Sequence, residues 1–410
     1  MPFNRVITAA AAAGAAALVL SGCVSKSPAD SAGPITVTST AQDCTVSANS
    51  AASGSLSFDV TNKGTETTEF YLLAADGLRI VGEVENVAPG ATRTLTLQAQ
   101  PGDYFTFCKP GMAGDGVGKA AFTVTGKAVQ EHSSGDAAQK KQAVDLYADF
   151  VKDQVEQLVP ATKTFADAYA AGDDDAAKQQ FPRVRAFYER IEPIAESLGD
   201  LDPKIDYREV DAVAEGMDWT GFHRIEKDLW QPAKDALNAD GATAAWQDWE
   251  PSTPQQRRHF ADLLIADVGT LNDYVGSEDF TTALENRGVA GLSNGAISLL
   301  DEVAGGKITG EEDWWSGTDL YDFAANIEGS KMAFSLVRDL SAAQGDEGAA
   351  LAEKIDKGYS ALEAKLAGYG SLEGRFVNYQ DLTDGDRHAL TDLINALAEP
   401  LSQLTATILA

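Results

Sequence analysis

Two short stretches of the 410-residue chain carry side chains whose spacing could hold an ion. In Gly221-Phe-His-Arg-Ile-Glu226, His223 and Glu226 stand three apart. On a helix such a pair shares a face, so imidazole and carboxylate can meet one cation. The turn supplies two ligands, and the others must come from elsewhere. On spacing alone, H-x-x-E describes a local His–Glu hydrogen bond on a surface helix equally well. The second stretch is Tyr188-Glu-Arg-Ile-Glu-Pro193, with Glu189 and Glu192 again three apart. Pro193 has no N–H to give the Glu189 carbonyl, so the helix is expected to kink or end there. A freed carbonyl is a hard-cation ligand; the plainer reading is an exposed acidic helix end. Asp202-Pro-Lys-Ile-Asp206 adds further acids on a nearby loop.

Histidine is scarce: His132, His223, His259 and His388 are all there are. That argues against a His-rich zinc or copper centre in the second half of the chain. One imidazole among carboxylates suits iron, with manganese and zinc next. A different chemistry is suggested by Cys108-Lys-Pro-Gly-Met112, with Cys44 and Glu69 earlier. Thiolate and thioether donors on a loop that ends a strand suit copper, but no histidine lies between residues 35 and 127 to complete a His₂Cys centre. The same two cysteines outside the cell can instead pair as a disulfide. H-E-x-x-H, Walker and C-x-x-C signatures are absent, so the familiar metallopeptidase, nucleotide and dithiol chemistries have no support.

The elements that must position these groups fall into parts. Residues 1–22 read as a signal peptide: Arg5, an apolar Ile7–Leu20 run too short to span a bilayer comfortably, then Leu20-Ser-Gly-Cys23. Small residues before a cysteine fit a lipoprotein cleavage site, which makes Cys23 the expected lipidated N-terminus at the outer face of the cytoplasmic membrane. Residues 23–34 are Ser/Ala/Gly-rich and read as a flexible tether. The formal charge of −30 becomes −31 without Arg5. It repels nucleic acid and concentrates cations, though solubility alone would also account for it. Residues 35–127 alternate apolar and polar in Ile35–Thr38, Leu56–Val60, Thr94–Leu97 and Phe122–Thr125, with turn signals at Asn62-Lys-Gly64, Pro89-Gly90 and Pro101-Gly102. This predicts a small β-sandwich. Residues 128–139 read as a linker, and 140–410 as an all-α bundle. Val144, Tyr147, Val151, Val155, Leu158 and Thr162 line one helical face, Gly172 is the expected stop, and Asp173–Asp175 the acidic start of the next helix.

At these residues the sequence resembles the EfeO family, extracytoplasmic iron-uptake components that join a cupredoxin-like domain to an imelysin-like helical domain. The resemblance is carried by Gly221-Phe-His-Arg-Ile-Glu226, Lys307-Ile-Thr-Gly-Glu-Glu312, the run Thr318–Gly329, and Ile191-Glu-Pro-Ile-Ala-Glu196 followed by Gly199-Asp-Leu-Asp-Pro203. It covers essentially the whole mature chain. It implies a helical-domain iron site at His223 and Glu226 with carboxylates from Glu189, Glu192, Asp206 and Glu302. It also implies a second metal position at Cys44, Glu69 and Cys108, to which the spacing adds Met112, with copper as the ion suited to it. Implied partners are a membrane iron permease and a haem peroxidase, and no chemistry of the protein's own. Two other functions come with relatives of the helical domain: metallopeptidase, and cation-dependent binding of an acidic polysaccharide. The chain departs from the family at Trp314-Trp-Ser-Gly317, where relatives carry a basic residue, Tyr, Ser and His.

Overall fold

The computed structural model describes residues 33–112, 114, 116–129, 136–195, 198–199, 201–305 and 307–410. The expected signal peptide, Cys23, the tether up to residue 32 and His132 lie outside the described residues.

Two sheets form the first part. One has the order β2 (Cys44–Val46), β1 (Ile35–Ser39), β4 (Gly54–Asn62), β7 (Thr92–Ala99). The other runs β3 (Ser50–Ala52), β9 (Val117–Thr125), β8 (Gly102–Pro110), β5 (Thr68–Leu73), β6 (Ile80–Val87). Parallel pairs β1–β4 and β3–β9 tie chain-distant strands together. The alternation read in β4 is realised: Leu56, Phe58 and Val60 point inward, and Phe58 meets Phe70 at 5.2 Å and Phe122 at 5.6 Å between ring centres. The three turn signals each fall at a strand end. Strand β5 departs from the expected pattern, being buried at all of its positions. Both of its faces are covered, which a period-2 pattern cannot reveal.

Twelve helices among the described residues make up the rest. The longest early ones are α1 (Ala137–Ala171) and α2 (Asp174–Glu189), then α3 (Glu192–Ala195), α4 (Leu201–Asp206), α5 (Glu209–Glu215) and α6 (Gly221–Leu229). The bundle is completed by α7 (Pro254–Val275), α8 (Glu278–Gly305), α9 (Asp319–Ala342), α10 (Gly345–Leu366), α11 (Asp384–Leu401) and α12 (Leu404–Leu409). The predicted apolar face of α1 is buried at every named position. Gly172 closes α1 in a left-handed conformation, and Asp173 caps α2 by accepting from the Ala176 N–H. None of the described helices is long and apolar enough to cross a membrane.

Sandwich and bundle meet along β6, β7 and α8. Arg93 pairs with Asp301 at 2.8 Å, Asn86 donates to the Asp301 carbonyl at 2.5 Å, and Asn294 donates to the Thr96 carbonyl at 3.0 Å. A further bridge joins Lys109 to Glu215 on α5 at 3.0 Å.

Candidate metal centre

Local rules explain why α6 sits where it does. All nine of its residues are buried. Gly221 opens it with φ of 82°, and a Cβ there would lie 2.2 Å from the Ile205 carbonyl oxygen. Only glycine permits that approach. The start of α6 is thereby pressed against the end of α4, which brings His223 beside Asp206. Its Nε2 lies 3.6 Å from Asp206 Oδ1 and 3.3 Å from Glu312 Oε1, while Nδ1 lies 3.2 Å from Glu226 Oε2 and 3.9 Å from Asp313 Oδ1. Asp206, His223 and Glu312 each offer a ligand atom within 4.8 Å of the others, as do His223, Glu226 and Asp313. A cavity of about 20 Å³ is lined by His223, Glu226 and Glu312 together with Trp219, Trp314 and Trp315. That is room for one water or one ion.

The far side of this cluster belongs to Arg185, a fully buried guanidinium on α2. It pairs with Glu189 and Asp206, reaches Glu312 at 3.1 Å, and lies 3.5 and 3.4 Å from Asp313 and Asp322. Two unit charges at 4 Å interact by about 4 kcal/mol at an effective dielectric near 20, so these contacts set the protonation of the whole site. Burial raises Asp206 to about 7 and Asp313 to about 6 despite Arg185. Burial and Arg185 favour neutral imidazole at His223, but the bonds to Glu226 and Glu312 and the charge of Asp206 outweigh them and raise it to about 10. One oxygen of Asp313, one of Asp319 and both of Asp322 have no hydrogen-bond donor among the described residues. Buried carboxylate oxygens without donors are the kind of group a cation would satisfy.

Glu189, Glu192 and Glu302 gather elsewhere, around a buried lysine. Lys307 Nζ lies 2.6, 2.7 and 3.4 Å from them respectively. Glu189 touches both groups, since it also pairs with Arg185, and Glu189, Glu192 and Asp206 have ligand atoms within 4.8 Å of one another. The helix break expected near Pro193 falls at residues 190–191, between α2 and α3. The Glu189 carbonyl it frees accepts from Asn326 Nδ2 at 2.9 Å, so that oxygen is already engaged. His259 and His388 are exposed on α7 and α11, away from the cluster.

The site expected in the sandwich is corrected by the structure. Cys44 and Cys108 form a disulfide, with Cα atoms 5.4 Å apart, and both are buried in the sandwich core. No thiolate remains for copper. Glu69 is paired with Lys109 in the β5–β8 register, one residue from the Phe70–Cys108 pair. Successive residues of a strand point to opposite faces, so Glu69 faces away from the disulfide. It accepts instead from the Tyr71 hydroxyl at 2.6 Å, and burial raises its carboxyl. Met112 lies half-buried in the turn after β8. Among the described residues, clusters of three or more His, Cys, Asp or Glu ligands occur only in the helical part.

Several site residues escaped the sequence reading. Glu312 lies in the Lys307–Glu312 run, and Asp319, Asp322 and Asn326 in the Thr318–Gly329 run, both noted as shared stretches but not as ligand sources. Lys307, which opens the first of these runs, and Arg185, which lies in neither, neutralise the acids. The departure at Gly317 also has a physical setting. Its φ is 67°, and a Cβ would fall 2.4 Å from Asn378 Oδ1, so a histidine there would require the Asn378 side chain to move. The neighbouring amides take up a site role instead, as Trp315 and Ser316 N–H donate to Glu226 Oε1 at 3.1 and 2.8 Å.

Fold and cluster define a two-part protein: a sandwich closed by a disulfide, joined to a helical bundle with a buried histidine–carboxylate centre. A sequence model of the imelysin family, which carries a peptidase name, matches residues 143–404, and one of cupredoxin-like domains matches residues 10–119. The chain is 36% identical over 377 residues to the iron uptake system component EfeO of Escherichia coli (strain UTI89 / UPEC), covering 91% of each chain. It is 35% identical, with the same coverage, to the component of that name from Shigella flexneri. The chain therefore belongs to the imelysin family, in its EfeO branch with an N-terminal cupredoxin-like domain.

Proposed function

We propose that this protein captures iron outside the cytoplasmic membrane and hands it to a membrane permease, holding it at His223 Nε2 with Asp206 and Glu312, while Glu226 and Asp313 hold the ring from its Nδ1 side. The observation that carries this reading is the ion-sized cavity beside His223 and three buried carboxylates within ligand distance of the imidazole. One nitrogen among several hard oxygens suits iron and tolerates manganese or zinc. The names of the relatives supply the iron-uptake context. Iron here is cargo, so the site must also release it. Arg185, which pairs with Asp206 and Glu312 of this site, offers a return partner when the ion leaves. Glu189, Glu192 and Glu302 form an adjoining shell whose charge Lys307 balances. Anchoring through lipidated Cys23, a flexible tether, and cooperation with a haem peroxidase complete the proposal.

The test is calorimetric titration of the mature full-length chain with ferrous ion under anaerobic conditions, with elemental analysis of the product. Wild type should bind iron tightly, and His223→Ala should weaken it at least about tenfold, or 1.4 kcal/mol. Equal affinity in the folded variant refutes the site. Metal-dependent cleavage of casein by the loaded chain would replace the transport reading with the peptidase one.

A further inference from the structure

Residues 316–318 of the loop that follows Glu312 also line a second cavity, of about 420 Å³. Its walls come from α2, Trp230 after α6, Tyr321 on α9 and residues 374–378. The chain has 62 acidic and 32 basic residues, yet the fourteen residues lining this cavity include Lys178, Arg183 and Arg375 and no carboxylate. The local charge is opposite to that of the protein as a whole. Lys178 Nζ lies 5.5 Å from the centre of the Trp230 ring, a cation–π arrangement that leaves the ammonium without a carboxylate partner. Arg183 uses one N–H on the Gly374 carbonyl, at 3.1 Å, which fixes α2 to the 371–378 loop. Among the described residues, the Arg375 guanidinium has neither a hydrogen-bond nor an ion-pair partner. Tyr321 and Phe376 meet edge to face with ring centres 5.0 Å apart and add apolar wall.

We propose that this cavity binds a small organic polycarboxylate. The volume lies in the range of small-molecule sites and far exceeds what an inorganic oxyanion fills. Aromatic walls match a carbon skeleton, and three cations around one cavity match two or three carboxylates. Guanidinium forks bind carboxylates bidentately, which favours this class over a neutral ligand. The floor of the cavity is the loop whose amides hold Glu226, through Ser316 N–H, and whose Thr318 hydroxyl donates to Asp313. A bound anion would therefore sit one loop away from the metal centre without sharing its ligands.

The probe is citrate, titrated calorimetrically into the metal-free mature full-length chain. One equivalent should bind with a dissociation constant below about 1 mM. The Arg375→Gln/Lys178→Gln double variant should bind at least roughly tenfold more weakly, and Arg375→Lys should fall between that and wild type. Phosphate should bind at least about tenfold more weakly than citrate. Citrate binding should persist in His223→Ala, which separates it from chelation of residual metal and from any failure of the iron site. No saturable binding up to roughly 10 mM, phosphate as tight as citrate, or an unaffected double variant each overturns the proposal.

Discussion

Glu312 is the residue on which the metal centre depends most visibly, because it stands between the imidazole and the guanidinium. Its Oε1 is 3.3 Å from His223 Nε2 and 3.1 Å from Arg185 Nη2. Burial alone would raise its carboxyl, but Lys307, His223 and Arg185 hold it well below the usual carboxylate range. It is thus an anion in the folded chain at any ordinary pH. Glu312→Gln keeps the shape and removes the charge. A hydrogen bond to a charged group is worth about 1.5–3 kcal/mol, so loss of this ligand should weaken iron binding about tenfold to 150-fold. Glu363 on α10 is an internal control. It pairs with Lys331 at 2.6 Å with its side chain 40% exposed, and Glu363→Gln should change affinity by less than about threefold. Competition against a colorimetric chelator measures both, with circular dichroism confirming the fold. Equal affinities for the two variants would refute the assignment of Glu312 as a ligand.

Lys307→Gln should lower the melting temperature of the metal-free chain by leaving Glu192 and Glu302 uncompensated while Glu189 keeps Arg185, at a cost of about 3–5 kcal/mol, and should enlarge the stabilisation by added divalent metal. Thermal scans with and without manganese check both effects. Asp202, Asp206 and Asp313 are raised by burial to about 6, 7 and 6, and His223 is raised to about 10. In each case the folded chain holds a proton that the unfolded chain has lost, so their contribution is greatest at low pH and fades as pH rises through these values. Glu189 and Glu312, held low, are ionised in both states above about pH 5 and do not oppose the trend. Denaturant melts of the metal-free chain should therefore show stability falling between about pH 5 and pH 8, and a flat or rising profile contradicts the burial argument. Thiol titration of the unfolded, unreduced chain should find Cys44 and Cys108 unreactive, and reduction should cost about 4 kcal/mol for a loop of 64 residues. Cys23→Ser should release the protein from the membrane fraction or leave it unprocessed, and unchanged fractionation contradicts the anchor.

Sequence by itself determined what local rules and short-range periodicity can carry. The alternation of Leu56, Phe58 and Val60 identified a strand, the spacing from Val144 to Thr162 a buried helical face, and Gly172 its end. The three-residue interval from His223 to Glu226 put both donors on one face, and α6 keeps that relation at 3.2 Å. Tertiary structure alone decided which distant acids join them. Glu312 and Asp313 are some ninety positions from the histidine and reach it only because Gly221 lets α6 lie against α4 and the Trp315–Ser316 amides hold the loop to Glu226. The counter-charges were equally hidden, since nothing in the composition marks Arg185 or Lys307 as buried. The cysteines show the same limit in reverse. Residue type left thiolate ligation and a disulfide both open, and the choice followed from β5 and β8 pairing Phe70 with Cys108, which turns the sulfur into the core toward Cys44 and Glu69 to the other face. Periodicity fixes which face of its own element a side chain occupies; what stands opposite that face is set by packing between elements far apart in the chain.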